Sequence, residues 1–286
     1  MNQIPQRQNE ERFLSYLAAM RQLYSEEKTC TAVWTLGATS IAALATGVLA
    51  FVKPFTPYIT LAALLLVVGE FSFLSSITKR RKDAAKIQEL LDCELLELEW
   101  NGASTTKPEP KTISAAYNRF KKQGKTIESE RLENWYTTPG LGEMPLFQAR
   151  VACQKENIGW DEDQRKDYAD WIIRTIVLLG ALLIIIALAA RWDLWWIFSV
   201  PLPLLLPVVA VGLIHAFNHR KAAERLGELR EFANRVWHDA SQKTAVPDLI
   251  TQSSRRLQDR IFIHRSESPP VPDWFYKRYK KRKGLT

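Results

Sequence analysis

The chain has 286 residues, 47% of them hydrophobic and 24% charged, with a formal net charge of +8 and a mean hydropathy of −0.18. Ten Trp and twelve Phe exclude a chain that is disordered throughout. Three cysteines (Cys30, Cys93, Cys153) without a CxxC pair exclude a disulfide framework and point to a reducing compartment.

The averages hide a segregation. Apolar residues crowd into 31–78 and 171–217, and the remaining segments are polar and charged. Segment 1–30 carries four basic and four acidic groups, with Phe13, Leu14, Leu17, Met20, Leu23 and Tyr24 at helical spacing. It is predicted to be a cytoplasmic amphipathic helix leading into the first apolar block. Residues 3–28 lack the apolar core of a secretory signal, so none is expected.

A helix needs about 20 apolar residues to cross a hydrocarbon layer of roughly 30 Å. Runs 31–52 and 55–78 meet that length, separated by Lys53 and Pro54. The turn is too short for anything but an antiparallel hairpin. Small residues such as Gly37, Ser40, Ala43, Thr46 and Gly47 favour close helix approach in the first run. Ser40 and Thr46 are also candidates to line a pore. Glu70 lies about 12 Å, eight residues at the helical rise, from the polar end of the second run. An ionisable group at that depth must face protein or water. Glu70 is therefore either a pore or gating carboxylate or a protonated group bonded to a neighbouring helix.

Segment 79–170 is nearly balanced, with 16 basic and 17 acidic residues. Helical periodicity over 79–100 (Ile87, Leu90, Leu91, Leu95, Leu98) predicts a helix continuing out of the second run. Irregular stretches are expected at 101–112 and around Pro139, Gly140 and Pro145.

The second block repeats the plan, with runs 171–190 and 194–217 joined by Arg191, Trp192 and Asp193. Trp171, Trp192, Trp195 and Trp196 mark membrane interfaces. Pro201, Pro203 and Pro207 each remove a backbone donor and predict a kinked or broken fourth run, either a hinge for gating or a static kink. His215 and His219 are spaced to share a helix face, but no third ligand lies near them, so polar interface residues are preferred to a metal site.

Segment 218–286 holds 16 basic and 8 acidic residues and so carries the whole excess of charge. A further helix is predicted over 219–243. The terminal cluster Lys277, Arg278, Lys280, Lys281, Arg282 and Lys283 suits anionic lipid headgroups, at about 1 kcal/mol per basic residue, and equally serves as a topology signal. Basic residues flank the runs on one side: Arg21 and Lys28, Lys79 to Lys82, Arg220 and Lys221. Each hairpin turn has one basic residue. The positive-inside bias places 1–30, 79–170 and 218–286 in the cytoplasm. The fold class expected is all-α: an integral membrane protein with four transmembrane helices in two hairpins and a helical cytoplasmic part.

No phosphate-cradling Gly loop, GxSxG or HExxH is present, so no enzyme activity, cofactor or metal is expected.

Several motifs spread over the chain carry a family resemblance. They are Arg7-Gln8, Arg21-Gln22-Leu23-Tyr24 and Lys28; Asn134-Trp135-Tyr136, Ala149-Arg150, Cys153-Gln154, Asn157, Trp160-Asp161 and Arg165; and Gln258-Asp259, Arg265 and Val271-Pro272-Asp273-Trp274-Phe275-Tyr276. With the two hairpins, this order resembles the SMODS-associating four-transmembrane effector family. The resemblance implies a pore-forming, membrane-permeabilising effector of bacterial antiphage defence, seated in the inner membrane and activated by a cyclic oligonucleotide from a partner nucleotidyltransferase. A cyclic oligonucleotide needs cationic donors for phosphates and flat faces for bases. Under the resemblance, the candidates are Trp135, Tyr136, Arg150, Gln154, Asn157 and Trp160 in one cluster. Arg255, Arg256, Arg260, Arg265, Trp274 and Tyr276 form the other. Each has an ordinary alternative as a core aromatic or a paired surface cation. Four helices enclose no wide pore, so a homo-oligomer in the lipid bilayer is expected. No polymeric nucleic acid is expected as a partner. The rival readings are a membrane-anchored scaffold for a cytosolic partner and a small constitutive ion channel.

Overall fold

A computed structural model describes residues 2–51, 77–199 and 201–284, and every regular element among them is helical. The elements are α1 (Ile4–Arg7), α2 (Glu11–Phe51), α3 (77–95), α4 (Pro110–Lys122), α5 (Ile127–Glu130), a 3-10 turn at Leu141–Glu143, α6 (Leu146–Ala189), α7 (Leu194–Ser199), α8 (Pro201–Ala240), α9 (Pro247–Glu267) and α10 (Asp273–Arg282).

Three helices run through from polar to apolar sequence. α2 has 41 residues, α6 has 44 and α8 has 40. At the helical rise, each is about 60 Å long, twice a hydrocarbon layer. The N-terminal amphipathic segment and the first apolar run are therefore one helix, and the run 171–190 is the second half of α6.

The polar halves make a body with a buried core. Phe13, Leu17, Leu91, Leu95, Phe120, Leu132 and Cys153 join α2, α3, α4 and α6 in one cluster. Ile158, Leu226, Leu229, Leu257 and Ile261 join α6, α8 and α9. Capping sets the ends. Thr126 and Ser129 form a reciprocal capping box on α5. Glu97, at φ 53, closes α3 by letting the Leu98 N–H donate to the Cys93 carbonyl at 2.8 Å.

Many aliphatic side chains on the described residues of the apolar halves are exposed. Among the described residues, one helix is long and apolar enough to cross a membrane: α6, whose apolar window has a mean hydropathy of 2.8 and is only 11% buried. Val177, Leu178, Ile184 and Leu188 on α6 are exposed, as are Leu206, Ile214 and Phe217 on α8 and Val33 and Leu36 on α2. Exposed aliphatic surface of this extent needs a nonaqueous partner. α6 and α8 pack as an antiparallel pair, and a Cβ at Gly212 would lie 2.9 Å from Ile176 Cδ1.

The turn between α6 and α7 is a Schellman closure with Arg191 at φ 52. Trp192 N–H donates to Ala187 O at 3.0 Å and Arg191 N–H to Leu188 O at 3.2 Å. Asp193 Oδ1 then accepts from Trp196 N–H at 2.8 Å and starts α7. Pro201 is the first residue of α8 and Pro203 lies in its first turn, while Pro207 is the helix's seventh residue. No intrahelical donor is required of Pro201 or Pro203 there. Of the four apolar runs, most of 55–78, including Glu70, lies outside the described residues. So do the side chains of Thr46, Pro203 and Pro207. Ser40 is an exposed residue of α2.

Candidate functional site

Where α2 and α6 pass from polar to apolar sequence, a half-open cavity of about 180 Å³ lies between α2, α6, α9 and the segment leading into α10. α2 contributes Arg21, Tyr24 and Lys28, and α6 contributes Asn157, Trp160, Asp161, Gln164 and Arg165. These sets are spaced at i, i+3, i+7 and i, i+3, i+4, i+7, i+8, which stacks each on one helix face. Trp135, His264, Arg265 and Tyr276 complete much of the wall.

Four cations face this space, each held by a carboxylate. Arg21 Nε donates to Glu130 at 3.1 Å, and Lys28 Nζ donates to Asp273 at 2.7 Å. Arg165 Nε donates to Asp161 at 3.0 Å, and Arg265 Nη1 donates to Asp92 at 2.6 Å. Burial would raise the Asp161 carboxyl, but Arg165 and His264 hold it well below the usual carboxylate range. Burial pulls Lys28 down against the pull of Asp273. Burial likewise drives His264 below its ordinary value, with Asp161 opposing.

Two donors in the wall have nothing to bond. Trp135 Nε1 and Gln164 Nε2 are buried without a hydrogen-bond partner, and Gln164 as a residue is 5% exposed. A buried unpaired N–H costs about 1–3 kcal/mol. Flat faces are supplied by Trp160 and Tyr276, whose ring centroids are 6.4 Å apart, and Arg21 stacks over Tyr276 at 4.7 Å. The chemistry on offer is anion and acceptor binding beside aromatic faces.

The nucleotide candidates divide between this cavity, the interior and the surface. Trp135, Asn157, Trp160, Arg265 and Tyr276 line the cavity. The others lie elsewhere. Tyr136 is buried and donates to Asp92 at 2.7 Å, and burial first, then Asp92, pushes its phenol up. Arg150 bonds the Leu96 and Glu97 carbonyls and Thr251 at 2.5, 2.8 and 2.9 Å. Gln154 pairs with Ser254 and Gln258, each contact 3.0 Å from Nε2. Arg255 is held by Glu89 at 2.6 Å and Asp259 at 2.9 Å. Arg256 and Arg260 are exposed, Arg260 against the Phe232 ring, and Trp274 packs on Trp171 at 4.8 Å. In the basic cluster, Arg282 pairs with Asp167, Lys277 with Glu130 at 3.8 Å and Lys283 with Asp163 at 3.9 Å.

Tyr24, Lys28, Gln164, Arg165 and His264 were not among the sequence candidates, and neither was Arg21. For Arg21, Tyr24, Lys28, Gln164 and Arg165 the available signal is helical spacing on α2 and α6, polar residues on a face otherwise turned to the core; His264 comes from α9. His219 is buried against Arg165 and the Tyr168 ring, whose centroid is 4.8 Å away. No group of three or more His, Cys, Asp or Glu side chains among the described residues is arranged to hold a metal.

A family model described as the SMODS-associating 4TM effector domain matches residues 2–284. No curated protein and no solved structure matches the chain.

Proposed function

Because the chain belongs to the SMODS-associating 4TM effector family, we propose that it is the membrane-permeabilising arm of a cyclic-oligonucleotide antiphage system. A cyclic oligonucleotide from the partner nucleotidyltransferase binds the cavity between α2 and α6. Subunits then associate in the bacterial inner membrane and open it, with both polar ends of the chain in the cytoplasm. The chain acts by binding and permeation, without catalysis.

One observation carries this reading. The cavity with the unpaired Gln164 and Trp135 donors lies on the two helices, α2 and α6, that continue as exposed apolar arms. Lys28, in its wall, is three residues before Thr31, where the first apolar run begins. A ligand drawn to those donors changes the packing at the base of the spans. Such a ligand shifts the population only as far as it prefers the assembled state.

The test is dye release from liposomes containing the purified chain, with a panel of cyclic di- and trinucleotides. Release with one ligand and none without it is expected. Release without ligand favours a constitutive channel. No release with any ligand favours a membrane-anchored scaffold. In ligand-triggered conductance, Glu70→Gln is expected to change the unit current, and an unchanged current removes Glu70 from the pore.

A further inference from the structure

The cations best placed to bind an anion are already bound to one from the chain itself. The Asp273 carboxylate, in the first turn of α10, accepts from Lys28 Nζ at 2.7 Å and from Ser25 Oγ at 2.9 Å, and lies 3.3 Å from Arg21 Nη1. Arg21 and Lys28 side chains are 14% and 13% exposed, and both line the cavity. A carboxylate held by an arginine, a lysine and a hydroxyl has the surroundings that suit a phosphodiester oxygen pair. Beside them, the Gln164 amide nitrogen is buried without a hydrogen-bond partner, and the residue is 5% exposed.

We propose that Arg21, Ser25 and Lys28 form an anion subsite for one phosphate of the ligand, and that Asp273 is an internal substitute that keeps it closed. The ligand's possession of phosphates rests on the reading in the preceding subsection. Closure places α10 across two regions at once. Tyr276 covers Arg21 on the cavity side, while Trp274 and Phe275 pack on Trp171 and Tyr168 at 4.8 and 5.0 Å, beside the start of the apolar half of α6. Lys28, Asp273 and Trp274 also line a second cavity, of about 460 Å³, between α2, α6 and α8. A phosphate that takes Arg21 and Lys28 removes the partners of Asp273 and frees the start of α10 from both.

The test uses the full chain in detergent and inorganic phosphate as probe, with chloride at equal ionic strength as control. In Asp273→Asn, calorimetry is expected to give a phosphate Kd at least about tenfold lower than in the unaltered chain. Adding Lys28→Met to that variant is expected to abolish the gain. An unchanged Kd in Asp273→Asn overturns the proposal. The unaltered chain gives a second readout should the variant not fold: phosphate is expected to speed tryptic cleavage within 277–283, and an unchanged rate overturns the proposal. Tighter phosphate binding in a chain that no cyclic oligonucleotide makes leaky sinks the functional reading and leaves this subsite standing. Ligand-triggered leakage with no phosphate gain in Asp273→Asn does the reverse.

Discussion

Arg265 Nη1 donates to Asp92 Oδ2 at 2.6 Å across 173 residues of sequence, and the Asp92 side chain is completely buried. The same carboxylate accepts from Tyr136 Oη at 2.7 Å and Gln258 Nε2 at 3.0 Å. Three donors from two chain segments, α9 and the loop before α6, satisfy one buried anion, and this joins α3 to both. The Asp92–Arg265 pair also fixes the guanidinium that forms one wall of the cavity.

Asp92→Asn is therefore expected to destabilise the polar body by about 3 kcal/mol, because it leaves the Arg265 cation buried without its counter-charge. Thermal unfolding in detergent measures this. A loss near zero means that water or another carboxylate takes over the pairing.

Acid should loosen the junction between body and apolar arms. His219 is buried and is lowered to about 3, first by burial and then by Arg165 and His215, with Asp161 opposing and Arg81 adding to the lowering. The unfolded chain binds its proton near pH 6.5. Between those values the unfolded state holds more protons, so stability falls as pH drops below about 6.5, by up to about 1.4 kcal/mol per pH unit from this group. Melting temperature against pH for the unaltered chain and for His219→Gln is the measurement, and the variant should show the flatter slope.

Gln164→Leu separates ligand binding from folding. Its amide nitrogen has no partner to lose, so stability should change by less than about 1 kcal/mol. Affinity for the activating ligand should fall by about tenfold, as one hydrogen bond to a charged acceptor is lost. Equal affinity in the two proteins shows that the amide does not meet the ligand.

Thiol labelling tests the topology. Burial first, then Glu89, pushes the Cys93 thiol up to about 12, and burial also raises Cys153 well above its ordinary value. Cys30 is half-buried beside Arg80. In the folded chain, maleimide should modify Cys30 much faster than the other two. In a Cys30→Ser background, Leu194→Cys, exposed at the α6–α7 turn, should react with an impermeant reagent from outside spheroplasts. Reaction only after lysis reverses the orientation.

Gly212→Leu tests the α6–α8 contact. The added side chain meets Ile176, so a loss of about 1–3 kcal/mol is expected. Ile176→Ala in the same chain should recover part of it, read from unfolding in detergent.

Parts of the architecture were legible without coordinates. Apolar runs of 20 or more residues, separated by short breaks such as Lys53-Pro54 or Arg191-Trp192-Asp193, declare helices by length and composition alone. The site was less legible. Gln154 and Gln164 have the same chemistry, yet the Gln154 amide nitrogen meets Ser254 and Gln258 while that of Gln164 meets no partner. Composition cannot separate a satisfied donor from an orphaned one, because the partner lies about 100 residues away.

Hydrophobicity is a property each residue carries with it, so the sequence alone determined the helical class, the apolar arms and the side on which the basic residues gather. Hydrogen-bond satisfaction belongs to pairs. Only the tertiary structure decided that α2 and α6 run unbroken from body to arm, that their polar faces enclose one cavity, and that Asp273 sits on the cations of Arg21 and Lys28. Those facts depend on which distant segments meet, and the long-range packing of buried surface chooses that.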